Sequence, residues 1–351
     1  MLGAGPGLDY PAREHVIVNW DNEYRPWTFS VAGEIFATRP VRADEPTCRW
    51  RAVADGQGLP ARRPAGVPAH HVPMTAAPPK VTAIVSTYGA ERFMRGCLED
   101  LVAQTIFPQI EVIVVDAASP QNERSIVEEF QQRHPTIRYL RADQREPLYA
   151  AWNRAIRLAR GEYLTNANTD DRHAPHALET LARALDTHPE AGVAYASMAI
   201  TAQENATFGT APIRGRFKAR KFDRRRLFHD CMPGPQPMWR RGLHERFGLF
   251  DETFVSAGDY EFWLRISAET RFLHIPEVLG LFLQSPQSIS NSDAERNHRE
   301  SEMVRDRHWP AAWGPRPAEH RTWLDRLTRR STYRKLFLGM KGLGPDGRTA
   351  R

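Results

Sequence analysis

An acidic turn lies near the middle of this 351-residue chain, directly after a short run with strand composition. The run is Tyr163–Asn166, and the side-chain oxygens of Asn168, Asp170 and Asp171 follow it. Hard divalent cations prefer oxygen ligands, and sites of the magnesium type use one or two carboxylates while substrate phosphates complete the shell. The alternative is that Asp170 or Asp171 caps the next helix or lines a turn. From these residues alone, both interpretations stay open.

A second carboxylate that could do chemistry is Asp259. It stands at the start of a segment with helical spacing, in which Phe262, Trp263 and Ile266 form the apolar side. A carboxylate in the first turn of a helix is stabilised by the helix dipole and needs no further function. A carboxylate at the edge of a buried helix can also serve as a general base. Without further information, the residues favour the first of these interpretations.

The elements that would position these side chains alternate regularly from residue 81 onward. Runs with strand composition lie at 81–86, 111–116, 137–140, 163–166 and 192–196, and helical spacing occurs at 91–104, 122–134, 148–159 and 175–187. This alternation predicts βαβ units around a mostly parallel sheet, an α/β fold. Ligands of such sheets bind beyond the carboxyl ends of the strands. This rule selects Thr87, Tyr88, Asp116 and the turn 166–171 as the ligand-binding edge.

The composition divides the chain into four parts. Residues 1–51 are predicted to form a small β-rich N-terminal extension of unknown role, with a hairpin within 27–38. Residues 52–80 are rich in proline and are predicted to be a linker. The main domain is predicted at 81–290, and residues 291–351 are predicted to be a helical, basic C-terminal tail.

Composition and missing motifs exclude several classes of protein. With 41% hydrophobic and 26% charged residues the chain is ordinary for a globular protein, and no apolar run approaches the length of a membrane span. The first residues lack a basic segment followed by an apolar core, so no secretory signal is expected. Three widely spaced cysteines provide neither a disulfide framework nor a zinc site. These features predict a cytoplasmic protein.

Four segments of the chain, in the correct order, resemble the motifs of bacterial family-2 glycosyltransferases with the GT-A fold: residues 80–88, 111–119, 168–171 and 258–265. Each motif is weak by itself, whereas four with this order and spacing are specific. The resemblance covers about residues 81–290. It implies a Rossmann-like sheet flanked by helices, with a nucleotide-sugar half at 81–200 and an acceptor half at 201–290.

For the nucleotide-sugar donor, the resemblance implies contacts at the ends of the first strands. Thr87 and Tyr88 match the position where the nucleotide base and ribose pack. Asp116 matches the acid that hydrogen-bonds the base or the ribose. Asn153 matches a position near the donor, in a segment that precedes the metal-binding strand.

For the metal, the resemblance aligns Asn168-Thr169-Asp170 with an Asp-x-Asp motif. Asp170 then holds a divalent cation, Mn²⁺ or Mg²⁺, that bridges the donor diphosphate. Asn168 replaces the first acid of the motif, which lowers the local charge but keeps an oxygen ligand. Asp171 either orders this loop or touches the sugar.

For the acceptor, the resemblance aligns Asp259 with the general base of inverting members. Trp239 and Arg240 correspond to the segment that lines the acceptor side. Two departures from the pattern accompany these matches, because Ala117 replaces the usual second acid after Asp116 and Gly258 replaces the acid that usually precedes the base.

These matches predict a metal-dependent inverting glycosyltransferase, which moves a sugar from a nucleotide-diphosphate donor to a hydroxyl of a glycan, lipid-linked or small-molecule acceptor. One alternative is a nucleotide-sugar-binding or non-catalytic member of the same fold. A second is a basic nucleic-acid-binding protein. The acidic edge argues against the second, because carboxylates without a metal repel phosphate. No nucleic-acid partner is therefore expected.

The net charge of +6 is concentrated in parts of the chain. Residues 214–226 hold eight basic side chains and one acid, Asp223. This segment is a solvated loop, folds over the donor diphosphate or meets an anionic acceptor. Residues 321–341 mix basic and apolar side chains, as in a helix at an anionic membrane surface or one packed on the domain. The first of these would place the protein peripherally at the inner face of the membrane.

Overall fold

A computed structural model describes residues 17–18, 28–31, 34–37, 78–285 and 287–315. The chain divides into two compact units, Met1–Val72 and Pro73–Arg351. Most of the predicted linker 52–80 and the predicted helical segment 321–341 lie outside the described residues. The domain boundaries therefore stay a prediction.

The described part of the first unit is a small antiparallel sheet. Its strands are β1 (Ile17–Val18), β2 (Thr28–Val31) and β3 (Glu34–Ala37), in the order β1-β2-β3. Val31 pairs with Glu34, so two residues connect β2 to β3. This is the hairpin that the sequence predicts within 27–38.

The second unit is built on one large sheet. Its strands are β4 (Val81–Thr87), β5 (Ile110–Asp116), β6 (Ile137–Arg141), β7 (Tyr163–Asn166), β8 (Arg172–His173), β9 (Ala191–Thr201), β10 (Gly215–Phe217), β11 (Met238–Arg240) and β12 (Arg271–Leu283). The spatial order is β6-β5-β4-β7-β11-β9-β12-β8, and β10 pairs with β9. The four strands β6, β5, β4 and β7 are parallel to one another, and β9 is parallel to β12. Strand β11 lies between β7 and β9 and is antiparallel to both.

Helices pack against this sheet. They are α1 (Glu91–Val102), α2 (Glu123–Arg133), α3 (Leu148–Leu158), α4 (Ala177–Thr187), α5 (Arg224–Leu227), α6 (Gly242–Phe247), α7 (Gly258–Ile266), α8 (Ile289–Ser292) and α9 (Ala294–His308). None of the helices in the described ranges is long and apolar enough to cross a bilayer.

Successive side chains of the central strands enter two different cores, because strand residues alternate between the faces of a sheet. Ala83 and Val85 of β4 belong to the core formed with α1, α2 and α4. Ile84 belongs to the core formed with α3 and α7. Covering both faces explains why β5 is buried at every position and reads as a continuous apolar run.

The predicted α/β architecture is confirmed, and the larger differences lie in the second half of the sheet. Strand β9 extends to Thr201 because β12 and β10 pair with it on its two sides. The strand was predicted to end at residue 196. Strand β11 has only three residues, too few for an alternating pattern to show, and it was not predicted.

Candidate functional site

The loops that leave β4, β5 and β7 meet at one edge of the sheet. In the register of the parallel strands, Thr87 pairs with Asp116 and Ile84 pairs with Asn166. The amide of Ala117 donates to the carbonyl of Thr87, and the amide of Ala167 donates to that of Ile84. Residues predicted from the ends of three different strands therefore lie along a single edge.

Asp116 is fully buried and its carboxylate is satisfied by three donors. Oδ1 accepts the backbone N–H of Ser119 at 2.6 Å. Oδ2 accepts the hydroxyl of Tyr139 and the guanidinium of Arg141, both at 2.5 Å. Burial and the hydrogen bond to Asp116 raise the pKa of Tyr139 to about 12, so its hydroxyl stays a donor. Tyr139 and Arg141 belong to β6 and were not predicted as site residues.

Tyr88 presents an aromatic ring at the same edge. The residue is 42% exposed, and the guanidinium of Arg145 lies 4.2 Å from the ring centroid. Such a ring offers a stacking surface for a planar base. Thr87 differs, because it is buried and its hydroxyl donates to Glu123. This corrects the prediction for the Thr87 side chain, which holds the loop and does not face the exposed edge.

Glu123, the first residue of α2, joins two of these loops and was missed by the sequence analysis. Its Oε1 accepts the backbone N–H of Ala90 and the hydroxyl of Ser119, both at 2.8 Å. Its Oε2 is buried without a hydrogen-bond partner among the described residues. An acid in the first turn of a helix is common, so no sequence signal distinguished this one.

The acidic turn after β7 is held by its own side chains. Asn168 donates to Oδ2 of Asp171 at 3.0 Å, and Oδ1 of Asp171 accepts the backbone N–H of Leu283 at 3.1 Å. Asn166 donates to the carbonyl of Pro235 at 2.7 Å. Burial, with the neighbouring Asp170, raises the pKa of Asp171 well above its usual range. The geometry gives Asp171 the ordering role, because its carboxylate ties the turn to the end of β12.

Asp170 differs from its neighbour because its carboxylate accepts no side-chain hydrogen bond within the described part of the chain. It is half-buried, and burial raises its pKa although Arg172 and Arg92 oppose this. Such a carboxylate, poor in partners and two residues after Asn168 in the turn, fits a hard divalent cation. The amide oxygen of Asn168 accepts one hydrogen bond, from Asn166 at 3.3 Å. No three His, Cys, Asp or Glu side chains cluster within the described ranges.

Asp259 lies in the first turn of α7, where two donors hold one of its oxygens. Oδ1 accepts the hydroxyl of Tyr149 at 3.0 Å and the backbone N–H of Tyr260 at 2.8 Å. Burial raises the pKa of Asp259 above its ordinary value. A raised pKa makes this carboxylate a stronger base than an exposed aspartate, and Oδ2 accepts no side-chain hydrogen bond from the described residues.

The glycine before Asp259 is explained by the same tyrosine. A Cβ on Gly258 would lie 2.6 Å from the ring of Tyr149. An acid at this position would therefore displace the ring whose hydroxyl orients Asp259. Tyr149, and not a side chain at position 258, is therefore the group that orients the Asp259 carboxylate.

Glu300 of α9 holds the segment that leads into α7. Its Oε2 accepts the backbone N–H groups of Ser256 at 2.8 Å and Ala257 at 3.0 Å, and its Oε1 accepts that of Val255 at 3.0 Å. Glu300 is buried, and the hydroxyl of Ser256 also donates to it. A carboxylate that accepts several backbone N–H groups fixes a turn firmly. The residue was missed because it lies far from Asp259 in the sequence.

Three predicted site residues are placed elsewhere. Asn153 is buried, and its amide exchanges two hydrogen bonds with the backbone of Phe250, at 2.9 and 3.0 Å. Trp239 is fully buried and donates to Nε2 of His244. These contacts place both side chains in the packing of the domain, whereas the predictions had Asn153 near the donor and Trp239 on the acceptor side.

Arg240 also lies away from the predicted acceptor side. Strand β11 is antiparallel to β7, so Arg240 pairs with Tyr163, at the start of β7, opposite the ligand-binding edge. Its guanidinium donates to the carbonyls of Ala191 and Leu185 at 2.8 and 2.7 Å. The resemblance matched the segment along the sequence but could not reveal its direction in the sheet.

Comparison with known proteins gives several matches. The family model described as glycosyl transferase family 2 matches residues 82–247. The uncharacterized glycosyltransferase MJ1057 of Methanocaldococcus jannaschii is 23% identical over 203 residues, which are 57% of this chain and 69% of that protein. Glycosyltransferase GlyG of Streptococcus pneumoniae is 30% identical over 101 residues, which are 29% of this chain and 33% of GlyG. The chain thus spans about two thirds of the first of these relatives and one third of the second.

A solved structure shares the fold. S. aureus TarS 1-349 in complex with UDP-GlcNAc aligns with a TM-score of 0.55 and 20% identity, over 75% of this chain and 76% of TarS 1-349. At this level of identity the likeness establishes the architecture. The fold is of the GT-A type that the sequence motifs implied.

Proposed function

We propose that this chain transfers a sugar from a nucleotide-diphosphate donor to an acceptor hydroxyl, with inversion at the anomeric carbon. The premise is that residues 82–247 form a glycosyl transferase family 2 domain and that the chain is a transferase enzyme. The observation that carries this proposal is the pairing of Asp259 with Tyr149. It supplies an oriented carboxylate whose pKa is raised by burial.

The donor lies along the edge formed by β4, β5 and β7. Tyr88 stacks on the base, and the exposed guanidinium of Arg141 lies beside it to hydrogen-bond the base or ribose. Asp116 acts through Arg141, which its buried carboxylate holds in place. The solved TarS structures with UDP and UDP-GlcNAc come from a protein of the same fold, which supports a nucleotide sugar as the donor. The diphosphate then points to the turn that contains Asn168 and Asp170.

Asp170, with the amide oxygen of Asn168, would hold a divalent cation, Mn²⁺ or Mg²⁺. When bound, this ion neutralises the charge that develops on the leaving diphosphate. Asp171 keeps the turn in place through Asn168 and the end of β12, so Asp170 stays directed at the substrate.

Asp259 removes the proton of the acceptor hydroxyl. Oδ1 is engaged by Tyr149 and Tyr260, so the proton goes to Oδ2. The acceptor oxygen then attacks the anomeric carbon from the face opposite the diphosphate, and the bond to the diphosphate breaks. Glu300 contributes by fixing residues 255–257, and hence the position of the first turn of α7.

Thermal unfolding with UDP, GDP, dTDP and CMP, each with and without Mn²⁺, tests the donor site. A ligand that binds the folded state raises the midpoint. We expect one nucleotide to stabilise wild type with metal but not Asp170→Ala. Release of that nucleotide from its sugar conjugates, present in wild type and absent in Asp259→Asn, then tests transfer chemistry. Nucleotide binding without turnover in wild type would favour the non-catalytic alternative.

A further inference from the structure

Residues 214–226, called the basic strip below, differ electrostatically from the rest of the described chain. Its eight cations are Arg214, Arg216, Lys218, Arg220, Lys221, Arg224, Arg225 and Arg226. None of them forms an ion pair with a carboxylate of the described residues. Outside the strip, every described Lys and Arg forms such a pair except Arg145 and Arg183.

The absence of paired carboxylates among the described residues leaves the cations of the strip repelling one another. Like charges at short spacing repel one another, and the usual remedy is a nearby carboxylate. The strip contains one acid, Asp223, whose carboxylate instead accepts the backbone N–H of Arg226 at the start of α5. Seven of the eight cations are exposed. A surface left with this much uncompensated positive charge is suited to an anionic ligand.

The strip is held in a defined conformation by its apolar residues. Strand β10 pairs with β9, and the ring of Phe217 lies against Gly234, where an added Cβ would be 2.9 Å from it. Phe222 stacks on Phe272 with ring centroids 4.5 Å apart. The two aromatic side chains thus pack against the domain, while Arg214, Arg216, Lys218 and Arg220 are exposed, so this row of charges exists before any ligand binds. Arg224 and Arg225 lie against the ring of Trp313 and extend the row less.

Both ends of the strip reach the proposed active site. At one end, the backbone N–H of Arg214 donates to the carbonyl of Ile200. The next residue of β9, Thr201, pairs with Leu283 of β12. The backbone N–H of Leu283 in turn donates to the carboxylate of Asp171 in the acidic turn. At the other end, the carbonyl of Leu227, directly after the strip, accepts the hydroxyl of Tyr260, the neighbour of Asp259. The strip therefore runs along the flank between the acidic turn and the general base.

We propose that the basic strip binds the acceptor, and that the acceptor is a polymer with a regular row of negative charges, such as phosphate groups. This rests on the proposed transferase function. Alternate side chains of an extended segment are about 7 Å apart, so Arg214, Arg216, Lys218 and Arg220 form a row along the chain and not a compact patch. A row of this kind fits successive charges of a linear polyanion and leads its end toward Asp259.

Other anionic partners fit the strip less well. Insertion into a membrane interface uses exposed apolar side chains beside the basic ones, whereas Phe217 and Phe222 are packed against the domain. Binding of single-stranded nucleic acid uses exposed aromatic rings for stacking. The aromatic residues of the strip face the protein, so rings for stacking are not presented. The exposed large apolar side chain next to the strip, among the described residues, is Ile213, which is a small surface for insertion into a membrane.

The test uses two variants of the full chain with the same loss of charge. Arg216→Gln/Lys218→Gln/Arg220→Gln removes cations of the strip. Arg183→Gln/Arg271→Gln/Arg299→Gln removes exposed cations elsewhere, of which Arg271 and Arg299 form only long ion pairs of 3.8 and 3.7 Å. Binding of linear inorganic polyphosphate, of anionic phospholipid vesicles and of a single-stranded DNA oligonucleotide is measured for each protein over a range of salt concentrations.

We expect the strip variant to bind polyphosphate at least about 10-fold more weakly and its salt dependence to lose a slope of about 3, one for each charge removed. The control variant should bind like wild type. Equal polyphosphate binding by the two variants would overturn the proposal, as would strip-dependent binding of vesicles or DNA that is tighter than that of polyphosphate. Stabilisation by the donor nucleotide is measured in parallel. Its absence from wild type would contradict the transferase proposal and leave an anion-binding strip.

Discussion

The hydroxyl of Tyr149 donates a hydrogen bond to Oδ1 of Asp259 at 3.0 Å, and the ring of the same tyrosine fills the space that a side chain at Gly258 would need. One residue therefore both orients the proposed base and determines which residue can precede it. The first three predictions concern this arrangement and the segment that carries it, and the fourth concerns the acidic turn.

Tyr149→Phe should shift the acid limb of the pH–rate profile upward. The hydrogen bond from Tyr149 lowers the pKa of Asp259, against the larger effect of burial, which raises it. Loss of the hydroxyl therefore raises this pKa further, and activity is lost at a higher pH as the base becomes protonated. The measurement is kcat between pH 5 and 9. Tyr195→Phe, which removes another buried hydroxyl whose partner is the carbonyl of Arg220, should leave the limb in place. An acid limb that does not move in Tyr149→Phe would show that Tyr149 does not influence the protonation of Asp259.

Gly258→Ala should destabilise the protein and reduce turnover. The added methyl would meet the Tyr149 ring at 2.6 Å, and overpacking of this kind costs about 1–3 kcal/mol. Gly242→Ala is the matched control, since it also lies in the first turn of a helix but has no atom within 4 Å of its added Cβ. Chemical denaturation and kcat measure the two effects. Equal stability of both alanine variants would contradict the contact.

Glu300→Ala should lower kcat by about 10- to 100-fold, because small displacements of a catalytic group have large effects on rate. The KM for the donor should change little, since the hydrogen bonds that the Glu300 carboxylate accepts within the described part of the chain all come from residues 255–257. Glu295→Ala on the same helix removes an exposed acid with one long ion pair of 3.7 Å and serves as the control. A loss of donor affinity equal to the loss of kcat would assign Glu300 a general structural role.

Asp170→Asn should make the metal-free protein more stable at neutral pH. Burial raises the pKa of Asp170, so the folded state binds a proton more tightly than the unfolded chain does. The charged carboxylate then costs stability that grows as the pH rises from the ordinary range of an aspartate to the raised pKa. Removing it should therefore raise Tm at pH 7, and this gain should shrink as the pH is lowered toward the ordinary pKa of an aspartate. The same variant should lose the Mn²⁺-dependent stabilisation by nucleotide. A lower Tm at pH 7 would contradict the electrostatic account.

The sequence predicted the ligand-binding edge because parallel strands bring their carboxyl ends together wherever their helices intervene. Tyr88, Asp116 and the turn around Asp170 follow strands with clear apolar patterns, so their common location could be derived without coordinates. The proposal of Asp259 as the base arose differently, through a resemblance, since the residues around it favoured an ordinary helix start.

The remaining parts of the site depend on long-range placement. Glu300 contacts Val255 across 45 positions of the sequence, and its helix has no pattern that predicts this partner. Trp239 and Arg240 were misplaced because β11 is too short to display its direction. The alignment of a motif gives its position along the chain, whereas the side of the sheet on which a residue emerges is set by the pairing of strands.

Strand β11 has a consequence for how such enzymes can diversify. It comes from the predicted acceptor half, residues 201–290, yet it lies between β7 and β9, which come from the predicted nucleotide-sugar half apart from Thr201. The two halves share the middle of one sheet and cannot be exchanged between proteins as modules, because a recombinant would have to rebuild its central hydrogen bonds. Acceptor preference can change more easily in segments that lie on the sheet's flank, where replacement leaves the central strands intact.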